Sequence, residues 1–213
     1  MAPYQKTFIE LALAHQALRF GEFTLKSGRI SPYFFNVGQL NSGLALKTLG
    51  ECYAQAIQNT DLAFDVIFGP AYKGIPLACT TAIAMAGLHH RDIPYTFNRK
   101  EAKDHGEGGN LIGAPLQGRI LIVDDVITAG TAMREAATLI ESLGAKIAGI
   151  FVALDRQEKG QGALSALQEM HQSLGVPVMS IINFADILAY VMQETQFSAF
   201  QEPLKAYRER YGV

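Results

Sequence analysis

The chain has 213 residues, a formal net charge of −2 and 18% charged residues, so it lacks the basic excess that a nucleic-acid surface needs. Hydrophobic residues make up 49%, enough for a globular core without disulfide or metal staples. The apolar run Gly74 to Leu88 is shorter than the roughly 18 residues of a membrane-spanning helix, and Met1-Ala2-Pro3-Tyr4-Gln5-Lys6 lacks the basic-then-apolar order of a secretory signal.

These features predict a cytoplasmic protein with neither membrane nor nucleic acid as partner. Cys52 and Cys79 lie inside apolar stretches without a C-x-x-C pair, which reads as two buried small hydrophobes in a reducing compartment.

In chain order, the spacing of Phe8, Leu11, Ala12, His15 and Leu18 predicts a helix near residues 3–19. Two extended runs follow, Glu22 to Leu25 and Pro32 to Val37, joined by Lys26-Ser27-Gly28-Arg29, and they read as a hairpin. A helix from about Ser42 to Asn59 carries Leu46, Leu49, Tyr53 and Ile57 on its apolar face. The rhythm then becomes strand, loop, helix. Apolar strands are predicted at Asp65–Phe68, Arg119–Val123, Lys146–Leu154 and Val178–Ile182, with helices through Met85, from Thr131 to Leu143, and after the later strands. Continuous apolar strands alternating with helices indicate an α/β fold with a mostly parallel central sheet covered by helices on both faces. In such sheets ligands bind beyond the C-terminal strand ends.

At one such end, Ile120 to Val123 runs into Asp124-Asp125-Val126-Ile127-Thr128-Ala129-Gly130-Thr131-Ala132. The small, hydroxyl-rich loop opens a helix, whose free N–H groups and dipole can hold a phosphate. Adjacent carboxylates beside a phosphate suit a ligand with vicinal hydroxyls and a cationic transition state. Taken alone, the segment also fits a helix start capped by Thr128 or Thr131 with solvated acids at a solvent-facing strand end. Neither G-x-x-x-x-G-K-[ST] nor G-x-G-x-x-G occurs, which excludes a Walker cradle and weakens a dinucleotide reading.

Pro70-Ala71-Tyr72-Lys73-Gly74 follows another strand and opens another helix, so its N–H groups and the Lys73 ammonium can bind pyrophosphate. Arg99 to Gly109 holds three bases, three acids, one histidine and three glycines; such a loop cannot enter a core and is expected to be mobile, either as a solvated surface loop or as a lid. Arg156 stands just past the Lys146–Leu154 strand. The remaining histidines carry little: His89-His90 reads as a polar turn, and His15 and His171 have no second ligand at i+4. Phe184 and Tyr190 read as core or interface residues.

The Ile120–Ala132 stretch resembles the signature of type I phosphoribosyltransferases, which bind 5-phosphoribosyl 1-pyrophosphate (PRPP). Lys26-Ser27-Gly28-Arg29, Ser31 to Asn36, Phe68 to Gly74 and Asn98 to Gly109 narrow the likeness to the bacterial orotate phosphoribosyltransferase family, and the likeness extends from Pro3 to Arg208. The resemblance implies a single phosphoribosyltransferase domain over 1–213, with a small N-terminal hood at about 1–40 and a parallel-sheet core at about 60–190. It implies a PRPP site of Tyr72, Lys73, Arg99, Lys100, Lys103, His105, Asp124, Asp125, Val126, Ile127, Thr128, Ala129, Gly130, Thr131 and Ala132. Lys103, His105, Asp124 and Asp125 would be catalytic, and Lys26, Phe34, Phe35, Thr128 and Arg156 would bind orotate. Mg²⁺ is implied, held mainly through PRPP and pyrophosphate rather than by a protein metal site, together with a homodimer that shares its lid loop between subunits. Rival readings are transfer to another base, such as uracil or a purine, a PRPP-sensing regulator without catalysis, and a PRPP synthase; the hairpin and Arg156, the intact lid, and the want of an ATP motif argue against them in turn.

Overall fold

The structure, a computed structural model, describes residues 1–25, 28–103, 109–160 and 162–213, with the backbone alone for 101–103 and 109. Helix α1 (Pro3–Ala14) leads into strands β1 (Leu18–Thr24) and β2 (Ile30–Phe35), then α2 (Gly43–Gln58), β3 (Val66–Gly69) and α3 (Gly74–His89). Next come β4 (Tyr95–Lys103), β5 (Gly109–Gly113), β6 (Arg119–Asp124), α4 (Thr131–Ser142) and β7 (Lys146–Asp155). The chain closes with α5 (Ala166–Leu174), β8 (Val178–Asn183), α6 (Phe184–Gln193) and α7 (Ser198–Tyr211).

Six strands form one sheet in the order β5-β4-β3-β6-β7-β8. All neighbours pair in parallel except β4 with β5. The mostly parallel α/β sheet expected from the apolar runs is therefore present, and it is longer than the four predicted strands. The chain order reverses beside β3: β4 lies on one flank, and β6, β7 and β8 extend from the other. That reversal opens a crevice between the C-terminal ends of β3 and β6.

Strand alternation divides the core between the two faces. Ile67, Leu121, Val123, Phe151 and Ala153 pack with residues of α1, α2, α3 and α6. Val66, Phe68, Ile120, Ile122, Ile150 and Val152 pack with Met133, Ala136 and Ile140 of α4 and with Leu167 and Met170 of α5. Neighbouring side chains on a strand point to opposite faces, and both faces are covered by helices, so β6 reads as a continuous apolar run.

Two sequence expectations need correction. The first helix ends at Ala14 rather than near 19, because Gln16 takes a positive φ of 56° and Leu18 enters β1 opposite Phe35. Leu18 is buried from a strand, and its spacing fits either element. The polar segment beginning at Arg99 is not irregular from its first residue: Arg99 to Lys103 complete β4, and Lys103 pairs with Gly109 of β5. Strand pairing satisfies that backbone where no apolar periodicity marks it. Residues 104–108, including His105, lie outside the described residues, as do Lys26 and the Lys103 side chain.

The hairpin β1–β2 is present as expected and antiparallel. Its inward face carries Ser31, Tyr33 and Phe35, all buried. Tyr33 stacks on Phe184 of α6 at 5.1 Å, and Phe20 meets Phe197 at 5.2 Å and Phe200 of α7 at 5.5 Å. The N-terminal hairpin is thus anchored to the C-terminal helices.

Candidate active site

The crevice beside β3 is built by two loops that two glycines allow to approach closely. A Cβ at Gly69 would run into the Gly74 carbonyl, and one at Gly74 into Pro70 and the Val123 carbonyl. With both positions bare, the Pro70–Lys73 turn folds against the end of β6. Gly74 N–H donates to the Pro70 carbonyl at 3.0 Å, and Ala71 N–H donates to Oδ1 of Asn98 on β4 at 2.8 Å. Lys73 Nζ then reaches Asp125 Oδ2 at 2.6 Å. Tyr72 is exposed, and the Lys100 ammonium lies 5.1 Å from the centre of its ring. Arg99 is half-buried on the same strand.

Asp124 and Asp125 are buried, at 9% and 7% exposure. The expectation of a solvent-facing pair is corrected here, because helices and the neighbouring loop cover the strand end. Asp125 N–H donates to Asp124 Oδ1 at 2.9 Å and Val126 N–H to Asp125 Oδ1 at 2.8 Å. The backbone is pinned from both flanks: Tyr53 Oη of α2 donates to the Asp124 carbonyl at 2.8 Å, and Ala153 N–H of β7 to the Asp125 carbonyl at 2.9 Å. Burial, followed by the charge of Asp125, pushes the Asp124 carboxyl up to about 7; the Asp125 N–H and Lys73 pull it part of the way back.

Beyond the acids, Val126 is half-buried and Ile127 is buried, anchoring the loop, whereas Thr128, Ala129, Thr131 and Ala132 are exposed. Gly130 has φ 72°, and a Cβ on it would strike Met170. The first bond of α4 runs from Arg134 N–H to the Gly130 carbonyl at 3.0 Å. The N–H groups of Thr131, Ala132 and Met133 therefore have no acceptor within the helix itself, the arrangement that receives a phosphate.

Arg156 follows β7 at the same sheet edge. Its Nη2 donates to Glu158 Oε1 at 2.6 Å and approaches Ser31 Oγ at 3.4 Å. Its guanidinium lies 4.4 Å from the centre of the Tyr33 ring. Phe34 and Phe35 occupy opposite faces of β2. Phe35 is buried edge-on to Phe8 at 6.1 Å, while Phe34 is half-buried beside Phe23 at 5.5 Å with the Arg19 guanidinium over it. What this pair can present together to one ligand is its main chain.

A family model for the phosphoribosyl transferase domain matches residues 36–164. The orotate phosphoribosyltransferase of Saccharophagus degradans is 61% identical over 214 residues, with 100% of both chains covered. That of Pseudomonas aeruginosa strain PAO1 is 56% identical over 213 residues, again with 100% of both covered. The chain belongs to the orotate phosphoribosyltransferase family. The crystal structure of the Francisella tularensis orotate phosphoribosyltransferase is 44% identical, matches with a TM-score of 0.88, and covers 97% of this chain and 99% of that one.

Within this family fold, the residues expected from sequence fall into two groups. Tyr72, Lys73, Asp124, Asp125 and Val126 to Ala132 converge at the crevice beside β3, Lys100 reaches the Tyr72 ring from β4, and Arg99 precedes it on that strand. Arg156 lies under the inward face of the hairpin against Ser31 and Tyr33, whereas the Phe34 side chain lies on the opposite face beside Phe23 and Phe35 packs on Phe8. Three residues with structural parts here went unassigned. Asn98 fastens the Pro70–Lys73 turn, although it was visible only as part of a motif. Tyr53 uses its hydroxyl on Asp124, whereas helical spacing marks it simply as apolar. Glu158 pairs with Arg156 at i+2, a spacing that carries no signal outside a strand.

Proposed function

We propose that this chain transfers the 5-phosphoribosyl group of PRPP to N1 of orotate, giving orotidine 5′-monophosphate and pyrophosphate in pyrimidine nucleotide synthesis. The observation that carries the reading is the buried Asp124–Asp125 pair set between two helix-opening loops, with Lys73 beside it. Loop residues Thr128 to Ala132 would hold the 5′-phosphate on the N-terminus of α4. Asp124 and Asp125 would accept hydrogen bonds from the ribose hydroxyls. As the bond from C1′ to pyrophosphate oxygen breaks, positive charge grows on the ribose, and the two carboxylates favour it. Lys73, Arg99, Lys100, Lys103 and His105 would balance the charge of the departing pyrophosphate. Orotate N1, bound already deprotonated, needs no protein base.

Arg156 would take the orotate carboxylate, with Lys26, Thr128 and the Phe34–Phe35 main chain around the base. The oxygen donors at the sheet edge suit a hard cation. Among the described residues no group of three or more His, Cys, Asp or Glu side chains is arranged to hold a metal ion. On this reading Mg²⁺ would be carried mainly on PRPP oxygens, with Asp124 and Asp125 as the carboxylates at hand, and it would supply charge neutralisation. We further propose a cytoplasmic homodimer in which the segment after Lys103 closes over the partner's acids; two free cysteines suit a reducing compartment.

The test is to mix the protein with PRPP, Mg²⁺ and orotate and follow the loss of orotate absorbance, with uracil and hypoxanthine in parallel. Consumption of orotate that depends on PRPP and Mg²⁺, with the other bases far slower, is expected. Equal turnover of uracil would defeat the orotate assignment.

A further inference from the structure

We propose that Glu158 is a positioning residue for base selection: it aims the Arg156 guanidinium and so sets the preference for a base bearing a carboxylate. This rests on the reading of Arg156 as the arginine of the base site.

Glu158 Oε1 receives two donors, Arg156 Nη2 at 2.6 Å and Tyr33 Oη at 3.1 Å. The Arg156 and Glu158 side chains are 18% and 12% exposed, so this is not a surface ion pair that water can replace. The guanidinium plane is also held against the Tyr33 ring, and that ring is fixed by Phe184 on one side and Tyr207 at 6.3 Å on another. Contact with the ring, contact with Oε1 and the approach to Ser31 together restrict a side chain that is otherwise rich in rotamers.

The main chain beneath the pair is held as firmly. Gln157 adopts φ 49°; its N–H donates to Asp155 Oδ1 at 2.9 Å, and its side-chain Oε1 accepts from Ala185 N–H of α6 at 3.0 Å. Glu158 makes a β-bridge with Gly212, and Arg29 of the hairpin donates to the Lys159 carbonyl at 2.8 Å. Hairpin, β7 loop and C-terminal helix thus meet at the residue that holds Arg156.

A guanidinium has five N–H donors. Glu158 and Ser31 engage Nη2; among the described residues Nε and Nη1 form no hydrogen bond of good geometry, and the buried Tyr207 hydroxyl, itself without such a partner, neighbours the guanidinium. Those donors remain for an incoming carboxylate, in a direction that Glu158 determines. Uracil carries no carboxylate and would not benefit from this alignment.

The experiment compares Glu158→Ala, Glu158→Gln, Tyr33→Phe, Arg156→Ala and the Glu158→Ala/Arg156→Ala double variant. Glu158→Ala is expected to raise the orotate KM by roughly 10- to 100-fold, with kcat and the PRPP KM little changed. Glu158→Gln keeps an acceptor oxygen and should recover most of that loss; Tyr33→Phe keeps the ring and should give a smaller rise in the same constant. In the double variant, removing Glu158 should add nothing to the loss of Arg156. If Arg156→Ala raises the orotate KM while Glu158→Ala and Tyr33→Phe leave it unchanged, positioning is refuted and the base-site reading stands. If Arg156→Ala itself leaves the orotate KM unchanged, both fall. Should Glu158→Ala fail to fold, Glu158→Gln and Tyr33→Phe decide: parallel changes in the orotate KM, PRPP KM and kcat would mean general structural damage and overturn the proposal.

Discussion

Lys73 Nζ lies 2.6 Å from Asp125 Oδ2, although the two residues stand on loops 52 positions apart. The contact joins the ends of β3 and β6 across the crevice where the chain order reverses. The Lys73 side chain is 54% exposed and the Asp125 side chain only 10%, so the pair contributes little stability on the cation's side. Its consequence is electrostatic: the ammonium shields the buried acids and, on the function proposed above, would also meet pyrophosphate.

Lys73→Ala is therefore expected to lower kcat/KM for PRPP by about 10²-fold, the scale of one lost electrostatic stabiliser, while leaving the orotate KM nearly unchanged. Lys73 also pulls the Asp124 carboxyl down, so its removal should move the acidic limb of the pH profile of kcat/KM to higher pH. An unmoved limb would show that the free enzyme does not titrate through Asp124.

Asp124→Asn separates activity from stability. Activity should fall by roughly 10²–10³-fold, yet the fold should become more stable above neutrality. The folded carboxyl titrates near 7 against an ordinary value of 3.8. Between those values the folded state binds more protons than the unfolded state, so stability falls as pH rises through that window. At pH 8 wild type bears the full cost, of order 1–4 kcal/mol, which the neutral amide avoids. Thermal melts should show a higher Tm for Asp124→Asn at pH 8, with the gain shrinking toward pH 4. Equal melting at pH 8 would mean that the carboxylate is better solvated than its burial indicates.

Gly130→Ala tests the phosphate loop. The position has φ 72°, and a Cβ would strike Met170, so destabilisation of about 1–3 kcal/mol is expected, accompanied by a higher PRPP KM. Chemical denaturation and steady-state kinetics measure the two effects separately. A variant with wild-type stability and kinetics would show that the loop takes another conformation in solution.

The shared site is tested by mixing two inactive variants, Lys103→Ala and Asp125→Ala, after dissociation and reassociation. In a mixed dimer one site would draw an intact lid and an intact acid from different chains, while the other would carry both lesions. With random pairing about half of the dimers are mixed, so activity should recover to about a quarter of wild type. If each lid serves its own chain, every site keeps one lesion and mixing restores nothing.

Local chemistry alone determined much of this protein. The apolar runs at Ile120–Val123 and Lys146–Leu154 had to become buried parallel strands, since neither offers a polar face to water. The helix expected from about Ser42 to Asn59 is present as α2, with Ser42 as its cap, its side chain accepting from Ala45 N–H at 3.3 Å. Asp124 to Ala132 likewise showed in the sequence alone that two acids and a small hydroxyl-rich loop end such a strand and open a helix.

Tertiary structure decided the rest. Arg99 to Lys103 look like a polar loop, yet β5 supplies the pairing that makes them strand. Leu18 fits a helix by spacing and becomes strand through Phe35, 17 residues away on the hairpin partner. The burial of Asp124, the meeting of Lys73 with Asp125, and the grip of Glu158 on Arg156 all join side chains whose proximity arises from the strand order, the hairpin and the docked C-terminal helices. Periodicity reports which face of an element is apolar; it carries no information about which distant charge will be brought to that element's end.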